Sequence, residues 1–530
     1  MELEPGSALV RVKTSETMNN IFDSTHGAAI YALIDSAFEL SVNSYGTVAV
    51  ALGVSVNYLS GVAPGETLFA EGRVVSRSTR ISACEIRVTG EAGNLIATCQ
   101  ALAYRKNDLC PSFEQALYSI AALLLPMRLA SCIKRYKDDT HRALTPEETL
   151  DRVEAKMPTA GITRVADITN LDRIGIPVFS SIRPMADRGA ISVYNGKGAT
   201  PTEAKVSAMM EGLERYSAEV RDRKLTLARF AELGTSALDP SDLILPAGAD
   251  ANAEIPWVPG WDIMNDEEIL VPANAVFHPL PSDYKRLFRT NTSGLASGNE
   301  IEEAIFHGLA EVIERDAWAL VEAARNMGPL ISDIGDGLAG SLLDKFRRAE
   351  VEVYLRDITS DIGIPTCAAA ADDIRLRDPT LLTTGMGTHT CASVAVLRAL
   401  TEVAQSRLTQ IHGAREDTTM ADFRKQIGYE RTKRLNKHWF ENSGEKSFAE
   451  IDSFESDDFL MDIKYMLEKL GEAGLDRVVV VDLTREEIGV PVVRVIVPGL
   501  EIAAVDPERV GQRCKNARNR RLPRAKPSSL

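Results

Sequence analysis

Three glutamates on one predicted helix are spaced so that they could act together. The stretch from Asn291 to Trp318 opens with small residues and two glycines and then follows an apolar pattern typical of a helix. At about 100° of rotation per residue, Glu303 and Glu314 lie roughly 20° apart around the axis, and Glu311 lies within about 80° of Glu303. The rise from Glu303 to Glu314 is about 16 Å, beyond the reach of one ion. A polyanion that carries more than one divalent cation could bridge it.

A second stretch has similar chemistry. A Gly-Lys-Gly turn around Lys197 is followed by a helix predicted to begin at Thr200 or Thr202, with a proline in its first turn. Glu211 and Glu214 are i, i+3 neighbours on one face of this helix. Oxygen ligands of this kind suit Mg²⁺, which keeps several waters and bridges carboxylates to phosphates.

Both predicted helices contain the phrase Glu-x-x-Glu-Arg, which ends at Arg215 in the first and at Arg315 in the second. Asn299 is the predicted N-cap of the second helix, and glutamates crowd its first turn. Two interpretations remain open. The helices could be amphipathic with solvated Glu and Arg faces, or the two copies could form one site for Mg²⁺ and phosphate.

The composition is that of an ordinary globular protein, with 530 residues, 45% of them hydrophobic and 25% charged. A formal net charge of -15 argues against a general nucleic-acid or membrane-surface binder. The seven cysteines form no C-x-x-C pair, which fits a reducing cytosol. The first residues lack a signal-peptide core, and the longest apolar run, Ile120 to Met127, is too short to span a bilayer. We therefore expect a cytoplasmic protein with no nucleic-acid or membrane partner.

The usual nucleotide and hydrolase motifs are absent from the sequence. It contains no Walker P-loop, no G-x-G-x-x-G that opens a helix after a strand, no G-x-S-x-G elbow and no H-E-x-x-H. A nucleotide site would have to be built from carboxylate–Mg²⁺ bridges together with lysine and arginine side chains.

The two stretches resemble the paired nucleotide-binding helices of the YcaO family. The first matches Gly-Lys-Gly followed by Ser-Ala-x-x-Glu-x-x-Glu-Arg-Tyr, and the second matches Gly-Asn followed by Gly-Leu-x-Glu-x-x-Glu-Arg. The string AGITRVADITNLDRIGIPVFSSIRP, from Ala160 to Pro184, is most similar to the methanogen branch called methanogenesis marker protein 1. The resemblance covers roughly Leu129 to Arg513, which is most of the sequence.

The resemblance implies an enzyme that binds ATP and Mg²⁺ and activates a peptide backbone amide. A nucleophile adds to the amide carbonyl, the oxyanion takes a phosphate from ATP, and phosphate leaves with the original oxygen. The implied metal ligands are Glu211, Glu214, Glu303, Glu311 and Glu314. The further implied ATP-binding residues are Ser192, Lys197, Arg215, Asn299, Arg315 and Arg407. Some of these arginines could instead pair with the glutamates and only orient them.

Members of this family form azolines, amidines or thioamides, depending on the nucleophile. Azoline formers commonly end in Pro-x-Pro-x-Pro, whereas this sequence ends in RRLPRAKPSSL. Similarity to the methanogen branch implies thioamidation of a glycine in the alpha subunit of methyl-coenzyme M reductase. Such enzymes often work with a TfuA-like protein that delivers sulfur. An azoline-forming cyclodehydratase stays open as an alternative.

Met1 to Asn107 is predicted to be a separate unit in which an antiparallel sheet wraps one long helix, a hotdog arrangement. The helix begins at about Gly27, and strands are expected at Val48–Tyr58, Thr67–Arg77, Ile81–Thr89 and Leu95–Tyr104. The stretch HGAAIYALIDSAF, from His26 to Phe38, resembles acyl-CoA thioesterases of the PaaI type. The alternative is a degenerate hotdog that is kept for dimerisation.

The thioesterase resemblance implies three catalytic residues. A backbone N–H near Gly27 would polarise the thioester carbonyl, Asp35 of a partner subunit would activate water or act as nucleophile, and Asn20 would position the water. Two features depart from that family. Ala28 replaces the second glycine of His-Gly-Gly, and the sequence begins inside the expected first strand.

The predicted fold class is α+β, a hotdog followed by a mixed α/β YcaO domain. We expect an N-terminally truncated hotdog over residues 1–107, a junction helix over 108–128, the YcaO domain over 129–513 and a basic tail over 514–530. Strands are expected at Val351–Arg356, Val478–Leu483 and Val492–Val497, and a glycine-bearing turn at Thr383–Thr390 before a helix at Ser393–Gln410. A homodimer or higher oligomer is expected. A thioesterase with a regulatory YcaO part, or a non-catalytic hotdog scaffold, remains open.

Overall fold

The computed structural model describes residues 2–4, 6–15, 18, 20, 24–45, 47–109, 129–416 and 420–521. The chain divides into two compact units, Met1–Pro126 and Met127–Leu530. Most of the predicted junction helix, 108–128, lies outside the described residues.

The first unit is a hotdog, as predicted. Helix α1, Gly27–Asn43, packs against a sheet whose strands run in the order β1-β2-β4-β5-β6-β3, all of them antiparallel to their neighbours. The predicted apolar side of the helix, from Ile30 to Phe38, is the side that the sheet buries. The strands are β1 Glu2–Glu4, β2 Ser7–Lys13, β3 Thr47–Tyr58, β4 Thr67–Arg77, β5 Ile81–Gly90 and β6 Leu95–Leu109.

The second unit mixes helices with separate sheets. One sheet runs β10-β11-β19-β20-β13 with β12 paired to β11, a second runs β17-β16-β15-β14-β18, and a third runs β7-β8-β9. The strands are β7 Arg164–Asp167, β8 Val178–Ile182, β9 Val193–Lys197, β10 Thr226–Ala228, β11 Ile255–Asp262, β12 Glu267–Pro272, β13 Leu295–Ser297, β14 Leu330–Ser332, β15 Glu352–Asp357, β16 Thr366–Asp372, β17 Thr383–Thr388, β18 Glu445–Ser447, β19 Val479–Asp482 and β20 Val492–Ile496.

Three helices of the second unit each cover a different sheet. Helix α3 packs on β8 and β9, α6 on β13 and β20, and α8 on β16 and β17. The α-helices after α1 are α2 Pro146–Glu154, α3 Pro201–Ser217, α4 Phe230–Leu233, α5 Ala273–Val276, α6 Ile301–Ala324, α7 Leu338–Arg348, α8 Ala392–His412, α9 Met420–Ile427, α10 Tyr429–Leu435, α11 Phe459–Glu472 and α12 Gln512–Arg521. Short 3-10 helices lie at Thr169–Leu171, Gly234–Ser236, Pro240–Leu243, Pro379–Leu381, Lys437–Trp439 and Phe448–Glu450.

Two segments that the sequence predicts as turns are strands. The Gly-Lys-Gly stretch ends β9, and most of Thr383–Thr390 forms β17. Glycine is required in both because a helix backbone lies against the strand. A Cβ on Gly196 would lie 1.9 Å from the backbone nitrogen of Ala208 in α3, and one on Gly387 would lie 2.2 Å from the carbonyl oxygen of Ala395 in α8. The glycines therefore mark close helix–strand approach.

Two further predictions need correction. Helix α6 begins one residue later than expected, so Glu300 is its N-cap, and the Asn299 side chain turns to other partners. Residues 512–521, most of which were assigned to a basic tail, form α12. Arg513 of this helix donates to the buried carboxylate of Asp316 in α6 at 2.9 Å and 2.8 Å. The ion pair explains why this basic segment folds onto the domain.

Candidate functional site

The second unit contains a cavity of about 730 Å³ between α3, α6 and α8. Its walls are unusually rich in charged side chains of both signs. The acidic lining residues are Glu211, Glu214, Glu311, Glu314, Glu322 and Glu402, and the basic ones are Arg142, Lys197, Arg215, Arg315, Arg398, Arg415 and Arg424. The two Glu-x-x-Glu-Arg segments therefore face one shared space.

Helix α3 presents Glu211 and Glu214 from a firmly capped start. The Thr200 hydroxyl accepts from the Glu203 backbone N–H at 3.3 Å, and the Glu203 carboxylate accepts from the Thr200 N–H at 2.8 Å, a capping box. Further along the helix, Arg215 donates to Glu211 at 3.0 Å. Among the described residues, Glu214 has no such hydrogen bond from an arginine and accepts only a 3.4 Å contact from the hydroxyl of Ser297.

Helix α6 repeats this arrangement. Arg315 donates to Glu311 at 3.1 Å, four residues earlier, and its other terminal nitrogen lies 3.6 Å from Glu314. In both helices the arginine of the motif donates to the first glutamate of the motif. Two arginines predicted to contact phosphate, Arg215 and Arg315, therefore form ion pairs within the motif. These ion pairs agree with the role of orienting the carboxylates, which was one of the two roles left open.

Helix α8 supplies a third set of groups. Lys197, at the end of β9, forms an ion pair with Glu402, whose carboxylate also accepts from the Met386 N–H at 3.3 Å. Arg398 lines the cavity one turn before Glu402, and its Nε is buried without a hydrogen-bond partner within the described part of the chain. Neither Glu402 nor Arg398 was among the site residues predicted from the sequence. Their i, i+4 spacing on an otherwise apolar helix was the signal that could have identified them.

Crowding of carboxylates shapes the electrostatics of the cavity. Burial raises the pKa of Glu214 to about 8, and the charges of Glu211 and Glu311 add to this shift. Burial and the charge of Glu402 likewise raise the pKa of Glu314. Burial by itself would raise the pKa of Glu402, but attraction to Lys197 and Arg315 outweighs burial and lowers this pKa. The nearby arginines and Lys197 therefore offset the raised pKa values of Glu214 and Glu314 only in part.

The chemistry of these groups fits Mg²⁺ that arrives with a nucleotide. Among the residues that the structure describes, no three acidic, imidazole or thiol groups already converge as a metal site. Mg²⁺ needs no such cage, because it commonly takes one or two protein carboxylates and completes its shell with phosphate oxygens and water. The raised pKa values at Glu214 and Glu314 mark where a cation would be stabilised.

Glu303 and Asn299 do not line the cavity. The side chain of Glu303 is fully buried, and it accepts from the Ala143 N–H at 2.9 Å and from the Asn299 amide at 3.2 Å. Asn299 in turn accepts from the hydroxyl of Thr149 at 3.1 Å. The prediction that both residues bind nucleotide or metal is corrected. Their polar atoms instead connect α6 to α2 and to the segment around residue 143.

Arg407 and Ser192 do not line the cavity either. Arg407 is fully buried and forms ion pairs with Asp172 at 3.0 Å and Asp373 at 3.1 Å. It follows Glu402 by five residues, which places it about 140° around α8. Ser192 is bonded instead to Glu416 through its backbone N–H at 3.2 Å. The predicted phosphate contact of Arg407 and the predicted role of Ser192 at the site are therefore corrected.

The candidate residues of the hotdog lie on or near α1. Asp35 is half-buried, and burial raises the pKa of its carboxyl group. Gly27 is the first residue of the helix, eight residues and therefore about 12 Å from Asp35 along the axis. Asn20 accepts from the Ser24 hydroxyl at 3.2 Å. This separation means that Gly27 and Asp35 of one chain cannot act on the same carbonyl.

A site of paired acidic helices and cationic side chains, built without a P-loop, defines an unusual class of Mg²⁺-dependent nucleotide-binding enzyme. The family model described as YcaO cyclodehydratase, ATP- and Mg²⁺-binding, matches residues 195–501. The chain belongs to the YcaO family. The family description confirms the prediction of ATP and Mg²⁺ as cofactors. The thioesterase superfamily model matches residues 22–97, in agreement with the hotdog.

Known proteins similar to this chain come from archaea and bacteria. A Methanothermobacter thermautotrophicus protein described as uncharacterized is 54% identical over 71% of this chain and 99% of its own length. An uncharacterized protein in the tfuA 3' region of Rhizobium leguminosarum is 32% identical over 71% of this chain and 91% of its own length. The structure of YcaO from Methanopyrus kandleri bound with AMPPCP and Mg²⁺ is 32% identical, covers 72% of this chain and 98% of that one, and has a TM-score of 0.62.

None of the helices formed by the described residues is both long enough and apolar enough to cross a lipid bilayer.

Proposed function

We propose that residues 129–513 bind Mg²⁺ and ATP in the cavity and phosphorylate a peptide backbone amide. The observation that carries this proposal is the convergence of both Glu-x-x-Glu-Arg segments on one space, with raised pKa values at Glu214 and Glu314. A site for a neutral substrate would not crowd carboxylates in this way. Mg²⁺ supplies the positive charge that neutralises the triphosphate and the charge that develops during phosphoryl transfer.

The residues of the chain divide into two roles. Glu211, Glu214, Glu311 and Glu314 would hold the metal, and Glu402 adds a fifth carboxylate on α8. Lys197, Arg215, Arg315 and Arg398 would contact the phosphates as charge-assisted donors. Among the described residues, Arg398 and Arg215 each have a buried Nε without a hydrogen-bond partner. Arg215 and Arg315 would in addition share their glutamate-bound nitrogens with the ligand.

The proposed reaction converts a glycine amide of the methyl-coenzyme M reductase alpha subunit into a thioamide. Hydrosulfide, or a sulfur donor of equal charge, adds to the carbonyl carbon, and the resulting oxyanion accepts the terminal phosphoryl group. Phosphate leaves with the original oxygen while the sulfur loses its proton, so the products are thioamide, ADP and phosphate. The methanogen relative supports this choice, and the relative from the tfuA region supports a TfuA-like partner. Azoline formation is the alternative.

Mass spectrometry of a glycine-containing reductase peptide tests the proposal. The peptide is incubated with the full chain, ATP, Mg²⁺ and sulfide, with and without a TfuA-like protein. We expect a gain of about 16 Da, sulfur for oxygen, that needs ATP and disappears in Glu311→Gln. Glu468→Gln, on the exposed face of α11, is the matched control and retains the product. Loss of 18 Da, the mass of water that cyclisation removes, would favour azoline formation instead, and no change with any peptide would contradict amide activation.

For the hotdog we propose acyl-CoA hydrolysis between two copies of the chain, in the cytoplasm. The half-buried Asp35 with its raised pKa, too far from Gly27 of the same chain, favours this arrangement. Asn20 would position the water. Release of free CoA from a panel of acyl-CoA thioesters, compared between wild type and Asp35→Asn, tests this function. Equal rates for the two proteins would leave the hotdog as a dimerisation scaffold.

A further inference from the structure

A second, much smaller cavity lies beside the large one. Its volume is about 70 Å³, and Arg315 lines both cavities. Its inner wall combines apolar side chains such as Val312, Val495 and Val497 with the guanidinium group of Arg494. A space of this size admits a small ion or a few waters and excludes a nucleotide.

Arg494 is a buried cation without an acidic partner. It is 4% exposed, and among the described residues no carboxylate oxygen lies within ion-pair distance of it. Two of its nitrogens donate to Asn291, to the carbonyl oxygen at 3.0 Å and to the side-chain oxygen at 3.2 Å. Its Nε is buried with no partner in the described structure. A buried charge of this kind is costly unless a counter-charge meets it.

Another buried arginine shows how the fold satisfies a cation without an anion. Arg356 is fully buried and also lacks a carboxylate partner, yet each of its nitrogens has an acceptor. It donates to the carbonyls of Trp439 at 3.1 Å and Gly328 at 3.0 Å and to the Ser443 hydroxyl at 2.9 Å. Arg494 differs because one donor is unfilled and open space adjoins the side chain.

The surrounding charges compensate Arg494 only in part. Burial lowers its pKa to about 10, and attraction to Glu311 and Glu214 offsets this effect incompletely, while Arg215 and Arg509 add to it. Two acids also line the small cavity. Both oxygens of Glu501 are already occupied by the backbone N–H groups of Gly511 and Cys514, and Asp242 is exposed.

We propose that the small cavity is a binding site for one small monoanion, which accepts from the Nε of Arg494. Its apolar lining suits a weakly hydrated, polarisable ion of the size of a halide or hydrosulfide. The two sources differ in consequence. A halide would be a permanent counter-ion. Hydrosulfide would be the sulfur nucleophile, and Arg315 would separate it from the carboxylates of the large cavity. The hydrosulfide assignment rests on the proposed thioamidation, but the anion site itself does not.

Bromide, detected by anomalous diffraction from crystals of the full chain, is the first probe. We expect an anomalous peak beside Arg494 in the wild type and in Arg375→Met, an exposed control. The peak should be absent in Arg494→Met. Absence of the peak in the wild type would mean that water fills the cavity, and this would overturn the proposal. A peak that persists in Arg494→Met would overturn the role of Arg494.

A measurement in solution tests whether bromide binds only at the high concentrations used in crystals. Bromide should raise the melting temperature of the wild type more than gluconate does at equal ionic strength, because gluconate is too large for the cavity. Arg494→Lys keeps the charge but loses the planar donor set, so we expect about tenfold weaker bromide binding in a folded protein. Equal effects of the two anions on the wild type would count against the site.

Competition then separates the two sources of the anion. If hydrosulfide uses the cavity, bromide raises the apparent KM for sulfide in the thioamidation assay and leaves kcat unchanged. If bromide binds but does not compete, the site holds a halide counter-ion. Because the crystallographic arm needs no turnover, failure of the anion site and failure of the proposed thioamidation give different results.

Discussion

Arg315 donates a hydrogen bond to Glu311 at 3.1 Å from one turn further along the same helix. The equivalent bond in α3 has nearly the same length. Each arginine thus pairs most closely with the first glutamate of its motif, and the second one, Glu214 or Glu314, is less fully neutralised. A ligand that brings positive charge to these two glutamates acts on the least compensated groups of the cavity.

Binding of Mg²⁺ and ATP should release protons. The pKa of Glu214 is raised to about 8 in the empty cavity, so its carboxyl group is mostly protonated at pH 7 and must ionise to hold a cation. Affinity should rise by up to about tenfold per pH unit toward pH 8 and level off above it. Titration calorimetry in buffers of different ionisation enthalpy measures the release. Glu214→Gln should reduce the proton release and Glu468→Gln should leave it unchanged, and proton uptake by the wild type would contradict this interpretation.

Replacement of Lys197 by methionine should weaken ATP binding. The change removes a cation that faces the cavity and leaves Glu402 without its ion-pair partner, so we expect the KM for ATP to rise about tenfold or more. Lys205→Met removes the same charge from the outer side of α3, where the lysine pairs with Glu154, and serves as the control. Steady-state ATPase measurements with peptide compare them. Equal KM values for the two variants would exclude a phosphate contact by Lys197.

Two arginines on α8 should respond in opposite ways to substitution. Arg407→Met breaks buried ion pairs to Asp172 and Asp373, so we expect a stability loss of about 3–5 kcal/mol with little change in the KM for ATP of the folded protein. Arg398→Met removes a side chain from the cavity wall and should raise this KM with little loss of stability. Chemical denaturation and ATP kinetics on both variants test the contrast. A stable Arg407→Met protein with impaired ATP binding would restore the role first predicted for Arg407.

A methyl group at Gly196 should disturb the fold of the site. Its Cβ would lie 1.9 Å from the backbone of α3, so strand β9 or the helix must move. We expect Gly196→Ala to lower the melting temperature and to weaken ATP binding together, because Lys197 is the next residue. Gly335→Ala, where a Cβ meets open space, should change neither property. A stable Gly196→Ala variant with normal ATP binding would show that this contact is dispensable.

The sequence predicted the helices that bear the site better than it predicted their surroundings. Thr200 and Pro201 mark the start of α3, and the apolar pattern marks α6, because capping and periodicity are local properties. The failures are non-local. Nothing in the neighbourhood of Arg407 indicates that Asp172, more than two hundred residues earlier, will neutralise it. Glycines at a helix–strand contact look like turn residues until the partner helix is known.

The ion pair between Arg513 and Asp316 links the site to the order of biosynthesis. Asp316 follows Glu314 by two residues in α6 and is fully buried, and its partner lies 197 residues later in the sequence. During translation the carboxylate helix is therefore complete long before the cation that neutralises its buried aspartate exists. The nascent domain must either keep Asp316 solvated or delay the closure of α6 onto its sheet until α12 has emerged. The nucleotide site would then be among the last parts of the protein to mature.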